Sequence, residues 1–576
     1  MDYRDVYRQW IEDPYYDEET RAELLAIKDE KEIEDRFYKE LEFGTAGMRG
    51  IIGAGTNRMN KYTVRKAAQG LANFVKKQGQ SDKGVVIAYD CRHCSFEFAL
   101  ETALVIAANN IKSYLFDELR PTPELSFAVR YLGCDAGVVI TASHNPKEYN
   151  GFKTYGDDGC QLPPKESNQV IKEVESIKDT SDICCMNKEE ALKQGLLEII
   201  GKEIDDAYIN AVKSAGINPE LCRKYGKDVK IIYTPLHGTG NKPVRRVLKE
   251  IGFDNVLVVK EQELPDPDFS TVKYPNPEDK AVFNIAIQMA ERENVELIIG
   301  TDPDADRMGV VVKDDKGEFI TLTGNQIGCL LLEYILSQRQ QKNNLPENAF
   351  VVKTIVSSDL ARKIAENYGA EIIDVLTGFK FIGEQIKLLH DTGKKVFIFG
   401  FEESYGFLAG THARDKDAVV ASMLIAEVYV WYKSKGMNLY QGLMELFKKY
   451  GYVKEGVDSF TLKGKEGLEK INNAMESLRN MNITRVGGKD VQIIADYEKR
   501  IRRNIKTNAE SAINLPVSNV LHYTMDPGFW FCVRPSGTEP KIKIYYGVTS
   551  NSLEGSEEEL ANLRKDVLSI IKPLLD

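Results

Sequence analysis

The chain has 576 residues, 43% hydrophobic and 28% charged, with a formal net charge of −11. That length is more than one hydrophobic core serves, so several domains are expected. The acidic balance disfavours a nucleic-acid binder, which needs a broad basic face, but still allows a small positive pocket.

The opening "MDYRDVYRQWIEDPYYDEET" lacks a basic n-region and an apolar h-region, so no secretory signal is expected. Residues 20–43 predict a helix, with Leu24, Leu25, Ile27, Ile33 and Phe37 in a broken apolar stripe and Thr20 and Glu23 at capping-box spacing. A glycine-rich stretch, "FGTAGMRGIIGAG", follows. From there short apolar strands alternate with helical patterns. "GVVIAYD" precedes "SFEFALETALVIAANN", and "VKIIYTPLHGTG" precedes "KPVRRVLKEIG". "AFVVKTIVSS" precedes "DLARKIAENYG", and "KKVFIFGFEESYG" precedes the run from Ala418. This alternation predicts α/β units with parallel or mixed sheets. The run 418–432 is too short for a membrane span and is interrupted by Glu427, so a buried helix is expected. The last stretch, from "VDSFTLKG" through "FWFCVRPSGTEPKIKIYYG" to a terminal helix, predicts a smaller α+β domain. Charged, Pro- or Gly-containing joins place the domains at residues 1–205, 206–322, 323–453 and 454–576. The nine cysteines are scattered; "CRHC" (Cys91, Cys94) is half a zinc site with no second pair at matching spacing, so reduced thiols are expected.

Four strand-end loops carry the chemistry, because ligands of α/β sheets sit beyond the carboxyl ends of strands. In "VVITASHNPKEYNGFK" an apolar run delivers Ser143 beside His144, with Lys153 further on. A serine-hydrolase reading fails. There is no G-x-S-x-G elbow, and neighbouring side chains of extended backbone diverge, which places His144 poorly as a base for Ser143. A serine that carries a phosphoryl group needs instead a nearby cation and a proton shuttle. In "VELIIGTDPDADRMGVVV", Asp302, Asp304 and Asp306 alternate after an apolar strand, and three converging carboxylates call for a hard cation. An EF-hand is excluded because its glycine and glutamate positions hold Arg307 and Lys313. In "GFEESYGFLAGTHARDKD", Glu402 and Ser404 are spaced to grip vicinal sugar hydroxyls, with Arg414 and Lys416 as cationic donors. In "RPSGTEPKIKIY", Arg534, the Ser536 and Thr538 hydroxyls and the backbone around Gly537 form the inventory of a phosphate cradle. Together the four loops specify metal-assisted phosphoryl transfer on a sugar phosphate.

In "FGTAGMRG", "TASHNPKEYNGFK", "GTDPDADR", "GFEESYG" and "RPSGTEP", in that order, the sequence resembles the α-D-phosphohexomutase superfamily of phosphoglucomutases and phosphomannomutases. The resemblance implies a heart-shaped, four-domain molecule with three α/β domains and a smaller C-terminal lid. It implies that Ser143 is phosphorylated in the active enzyme and that Asp302, Asp304, Asp306 and a phosphoserine oxygen hold Mg²⁺. Arg49, Arg307 and Lys153 would add positive charge, with Ser143, Lys153, Lys416, Arg49 and His144 as the catalytic set. Glu402 and Ser404 would bind the sugar, and Arg534, Ser536, Gly537 and Thr538 its non-reacting phosphate. The histidine that relatives of dual specificity carry after the sugar-loop serine is absent here. "ARDKD" resembles the Arg-x-Lys-Asp of glucose-specific members and favours Lys416 as proton shuttle, then Lys153, with His412 and Lys380 as further candidates.

The expected activity interconverts glucose 1-phosphate and glucose 6-phosphate through a glucose 1,6-bisphosphate intermediate. A phosphopentomutase, a phosphomannomutase or a glucose-1,6-bisphosphate synthase would use the same chemistry. A metal-dependent sugar phosphatase and a non-catalytic sugar-phosphate sensor are the readings from other classes. The expected partner is a small sugar phosphate, with no nucleic acid and no membrane, for a cytoplasmic monomer or dimer.

Overall fold

Strands and helices alternate as the apolar periodicity predicts. A computed structural model describes all residues except 1, 45, 46, 80, 463, 527 and 537–540, together with the side chains of all but residues 464 and 465 of the remainder. The chain divides into two units, one of Met1–Leu322, Phe379–Phe399 and Ser404–Gly436, the other of Thr323–Gly378, Gly400–Glu403 and Met437–Asp576.

The first unit holds two sheets. The larger runs, across its width, Phe43–Gly44, Gly47–Ile51, Tyr149–Gly156, Ala136–Ile140, Val85–Tyr89, Ser113–Phe116 and Leu197–Ile200. Its last four strands are parallel, and the pairings from Ala136–Ile140 towards Phe43–Gly44 are antiparallel, so the sheet is mixed. Val85–Tyr89 and Ala136–Ile140 are buried at every position, which explains their unbroken Val/Ile character. Helix Lys61–Lys77 starts at a capping box between Asn60 and Thr63 and turns Val64, Ala67, Ala68, Leu71 and Val75 into the core at three- and four-residue spacing. The smaller sheet runs Phe319–Leu322, Met308–Lys313, Leu297–Thr301, Lys230–Thr234 and Asn255–Val258, antiparallel at the first two pairings and parallel at the rest. Helix Ala418–Lys433 is buried on nearly all sides, as its composition predicts. No helix among the described residues is long and apolar enough to cross a membrane.

The second unit opens with helix Gly324–Gln341, capped by Thr323 and Gln326, and a parallel pair, Ala349–Thr354 with Glu371–Val375. Its C-terminal part is a seven-stranded antiparallel sheet covered by helices Gly464–Asn480 and Leu553–Leu575, the expected α+β arrangement. The strand Tyr452–Thr461 lies on its edge. On that strand Glu455 Oε1 has no hydrogen-bond partner among the described residues. Burial pushes the Glu455 carboxyl up to about 7, against a hydrogen bond with Ser358. A folded pKa above the unfolded one favours the fold below the unfolded value, and that stability is lost as pH rises through about 7. Glu455→Gln is therefore expected to raise Tm more at pH 8 than at pH 5. Thermal unfolding at the two pH values checks this, and an equal shift at both refutes it.

One local expectation is corrected. Residues 20–43 form two helices, Glu18–Ala26 and Glu30–Phe37. Asp17, rather than Thr20, caps the first by accepting from Thr20 N (2.7 Å), and Asp29 caps the second by accepting from Lys31 N (3.0 Å). An aspartate in mid-run bonds the backbone locally, which ends one helix and begins the next.

Candidate active site

Strand Ala136–Ile140 ends in the loop that carries Ser143. Ser143 adopts a left-handed backbone, φ +52°, and its N–H donates to Thr141 Oγ1 (2.8 Å). Thr141 in turn donates to Asp90 Oδ2 (2.6 Å). Buried Arg92 clamps the loop from below. Its guanidinium donates to the carbonyls of Ser143 and Asn145 (both 2.6 Å), Pro146 (2.8 Å) and Tyr149 (3.0 Å). The Ser143 hydroxyl is thereby aimed at a carboxylate: Oγ donates to Asp302 Oδ2 at 2.7 Å.

His144 corrects the sequence reading. Its Nδ1 lies 3.1 Å from Ser143 Oγ, because the left-handed turn at Ser143 brings together two side chains that extended backbone would separate. Burial and the neighbouring Arg307 and Arg49 guanidiniums hold His144 well below the usual imidazole range, so its ring is neutral near pH 7. Among the described residues no carboxylate hydrogen-bonds this ring, so the orienting acid of a serine-hydrolase triad is missing.

Asp302, Asp304 and Asp306 follow strand Leu297–Thr301 in a loop turned by Ala305 at φ +50°. All three are at most 1% exposed, and each offers an oxygen within 4.8 Å of the others'. Asp302 Oδ1 accepts from the N–H groups of Asp306 (3.1 Å) and Arg307 (2.9 Å). Asp304 Oδ2 accepts from Thr122 Oγ1 and Lys153 Nζ, both at 3.0 Å. Asp306 Oδ2 pairs with Lys416 Nζ (3.0 Å) and Lys153 Nζ (3.7 Å). Asp304 Oδ1 and Asp306 Oδ1 are buried without a hydrogen-bond partner among the described residues. Burial and the charges of Asp304 and Asp306 push Asp302 well above the carboxylate range. Burial would also raise Asp304, but Lys153, a hydrogen bond from Asp302 and Lys416 hold it well below that range. Crowded buried carboxylates with two unsatisfied oxygens are the donor set of a divalent cation, and these three residues could hold one.

Sequence models of three domains described as phosphoglucomutase/phosphomannomutase α/β/α domains I, II and III match residues 40–181, 206–317 and 323–450. The chain belongs to the phosphoglucomutase/phosphomannomutase family. A curated phosphoglucomutase of Staphylococcus haemolyticus (strain JCSC1435) is 39% identical over 530 residues, 92% of this chain and 94% of the relative. That of Staphylococcus aureus (strain USA300) is 40% identical over 519 residues, 90% and 91% of the two chains. Two solved structures share the fold. Parafusin, a phosphoglucomutase of Paramecium in its open form, has TM-score 0.69 at 18% identity and covers 93% of this chain and 95% of its own. A phosphoglucomutase/phosphomannomutase family protein of Burkholderia thailandensis has TM-score 0.65 at 17% identity and covers 93% and 98%. This phosphohexomutase thus has the three α/β domains and β-rich C-terminal part expected of it.

The other expected site residues of the phosphohexomutase lie in both units. Arg49, on strand Gly47–Ile51, donates to Asn145 Oδ1 (3.1 Å) in the serine loop. Arg307 ion-pairs with Glu278 (2.6 Å) and bridges Gly406, while Met308 N donates to Tyr405 O (3.1 Å). The segment beginning at Ser404 is thereby tied to the end of the acidic loop. Lys416 also pairs with Asp415 (3.2 Å), which accepts from Tyr155 Oη (2.7 Å). Arg414 is placed otherwise than expected. It is 1% exposed and bonds Asp391 and the carbonyls of Thr411 and Ala413, with its pKa lowered to about 10 by burial and Arg130. The guanidinium thus holds the backbone of its own loop. His412 Nε2 donates to Asp417 Oδ2 (2.7 Å), the cap of helix Ala418–Lys433, and Lys380 Nζ lies 5.5 Å from the Phe381 ring centre.

In the second unit, buried Glu402 ends strand Val396–Glu402. Arg534 lies on strand Trp530–Pro535, and Ser536 N donates to Lys541 O (2.7 Å). Gly537 and Thr538 lie outside the described residues. Sequence reasoning missed Asp90, Arg92, Thr122 and Glu278. Arg92 forms an Asp-x-Arg pair with Asp90 at the end of a buried strand, but its partners in the serine loop are remote in sequence and leave no local signal.

Proposed function

We propose that this phosphohexomutase is a phosphoglucomutase, interconverting glucose 1-phosphate and glucose 6-phosphate by passing a phosphoryl group through Ser143. The carrying observation is the 2.7 Å hydrogen bond from Ser143 Oγ to Asp302, which sets the acceptor hydroxyl on the edge of the carboxylate cluster. The Staphylococcus relatives bearing that name support the choice of sugar. Asp302, Asp304 and Asp306 would hold Mg²⁺, a hard cation suited to few protein oxygens plus a phosphate oxygen, and it supplies charge neutralisation for the phosphoryl group.

The chain's own groups do the rest. Arg92 and Thr141 fix the Ser143 backbone, so the nucleophile needs no search for its orientation. Neutral His144 holds Ser143 Oγ without competing for a charge. Phosphorylated Ser143 gives its PO₃ to the free hydroxyl of a hexose monophosphate: the P–Oγ bond breaks, a P–O bond to the sugar forms, and the hydroxyl proton passes to a base. The resulting glucose 1,6-bisphosphate returns its other phosphoryl to Ser143. From the sequence motifs we assign sugar recognition to Glu402 and Ser404, and the non-reacting phosphate to Arg534, Ser536, Gly537 and Thr538. We assign that base to the neutral amine of Lys416, which takes the proton as an ammonium in this half-reaction and returns it in the second; its Nζ lies 3.0 Å from Asp306 Oδ2. Lys416→Gln is expected to lower kcat by about 10²-fold or more with KM within a few-fold; steady-state kinetics over pH 6–9 check it, and an unchanged kcat moves the role to Lys153. A cytoplasmic location is part of this reading, in keeping with nine free cysteines.

The deciding assay supplies glucose 1-phosphate, mannose 1-phosphate and ribose 1-phosphate side by side, with Mg²⁺ and catalytic glucose 1,6-bisphosphate. Glucose 1-phosphate should give the highest kcat/KM. Preference for ribose 1-phosphate, or net release of inorganic phosphate, overturns the reading.

A further inference from the structure

Helices Thr122–Leu132, Lys202–Ser214 and Asn241–Ile251 meet around a cavity of about 280 Å³ in the first unit. This is close to the lower end of the usual ligand-site range of about 300–1,000 Å³. Leu119, Ile209, Pro243, Leu264 and Pro265 make its walls largely apolar, and Leu264 at its rim is 71% exposed. Two polar side-chain atoms in this lining are unsatisfied. Glu124 is 2% exposed and Thr239 3%, yet Glu124 Oε1 and Thr239 Oγ1 have no hydrogen-bond partner among the described residues. Native interiors rarely leave such atoms unpaired.

The charges around the cavity are already matched. Arg120 bonds Asp205 (2.8 Å) and Asp117 (3.0 Å), Lys242 pairs with Glu118, and Arg246 pairs with Asp206 (2.7 Å). Burial and a hydrogen bond with Asp205 push the Glu124 carboxyl well above the usual carboxylate range, against Arg120, whose Nε lies 4.0 Å from Glu124 Oε1. Glu124 Oε1 itself accepts no hydrogen bond among the described residues. Among the described residues an anionic ligand finds no unpaired cation here, whereas an N–H or O–H finds an acceptor.

The same walls anchor the acidic loop. Thr239 N donates to Pro303 O (2.8 Å), and Gly238 packs so tightly that a Cβ there would lie 2.4 Å from Pro303 Cα. Thr122, two residues before Glu124, donates through N to Asp304 O (2.9 Å) and through Oγ1 to Asp304 Oδ2 (3.0 Å). Anything that shifts Thr239 or the start of helix Thr122–Leu132 therefore shifts a cation-binding carboxylate.

We propose that this cavity is a second ligand site, taking an uncharged molecule with a compact apolar body and one N–H or O–H donor, and that its occupant is coupled to cation binding at Asp302, Asp304 and Asp306. Coupling between sites is reciprocal, so it can be read from either ligand. The test uses the full chain with indole, 1-methylindole and benzoate as probes, binding followed by ligand-observed NMR and Mn²⁺ affinity by calorimetry. Indole should bind, 1-methylindole should bind about ten-fold more weakly for want of its donor, and benzoate should not bind. Ile209→Phe, which fills the cavity, and Leu264→Asp, which charges its rim, should each weaken indole by about ten-fold. The exposed Leu264 position keeps the test valid if the buried substitution unfolds the protein. Saturating indole should change the Mn²⁺ Kd by about five-fold or more. Absence of indole binding at millimolar concentration, or binding that both substitutions leave intact, overturns the site. An unchanged Mn²⁺ Kd with indole bound overturns the coupling.

Discussion

Ser143→Ala should lower mutase turnover by at least about 10³-fold while leaving sugar-phosphate binding within a few-fold. The asymmetry follows from what the side chain touches. Ser143 Oγ contacts Asp302 and His144, whereas the loop itself is held through backbone atoms, by Arg92 at the Ser143 carbonyl and Thr141 at its N–H. An alanine keeps those backbone bonds, so the acidic loop and the surrounding lysines stay in place. What disappears is the only atom proposed to accept the phosphoryl group. Intact mass spectrometry after incubation with glucose 1,6-bisphosphate should show one added phosphate on the wild-type chain, mapped to Ser143, and none on the variant. Retention of more than a few per cent of activity, or phosphate at another residue, would refute the assignment.

Asp302→Asn should separate stability from function. In the cation-free protein, burial and the neighbouring Asp304 and Asp306 charges disfavour an ionised Asp302. The amide removes that repulsion. Its Oδ1 can still accept from the N–H groups of Asp306 and Arg307, and its Nδ2 can donate to Ser143 Oγ. The metal-free variant is therefore expected to melt no lower than wild type, and by about 1 °C higher if about 1 kcal/mol of repulsion is relieved in a chain this long. Cation binding should suffer in the opposite sense, with Mn²⁺ affinity and turnover each down by about 10²-fold or more. Because a ligand stabilises only the state that binds it, added Mg²⁺ should raise the wild-type Tm and leave that of the variant nearly unchanged. Calorimetry and thermal scans with and without metal check both halves. A variant that binds Mn²⁺ as tightly as wild type would remove Asp302 from the cation site.

Arg92 and Ser143 are 51 residues apart, and Thr122 and Asp304 are 182 apart. Contacts at such separations leave no local spacing to read, which is why Arg92 and Thr122 escaped notice while the three aspartates did not. His144 shows a subtler limit. Adjacency to Ser143 was plain, but whether the two side chains meet depends on a left-handed φ that serine seldom adopts and that the loop's anchors impose. Arg414 shows the converse, since a cation inside a promising motif is committed to Asp391 once the chain folds. The split of residues 20–43 was visible in principle, for Asp17 and Asp29 are both sound helix caps.

By itself the amino-acid order determined the strand–helix alternation, the oxygen-rich cluster at 302, 304 and 306 and the family's motif series, all of them properties of short-range periodicity and residue chemistry. Only the tertiary structure decided that Ser143 faces Asp302 across 159 residues, that His144 reaches the same hydroxyl, and that a cavity backs onto the acidic loop. The physical reason is that such meetings are made by the packing of whole sheets and helices, where many weak contacts choose one arrangement that no single segment encodes.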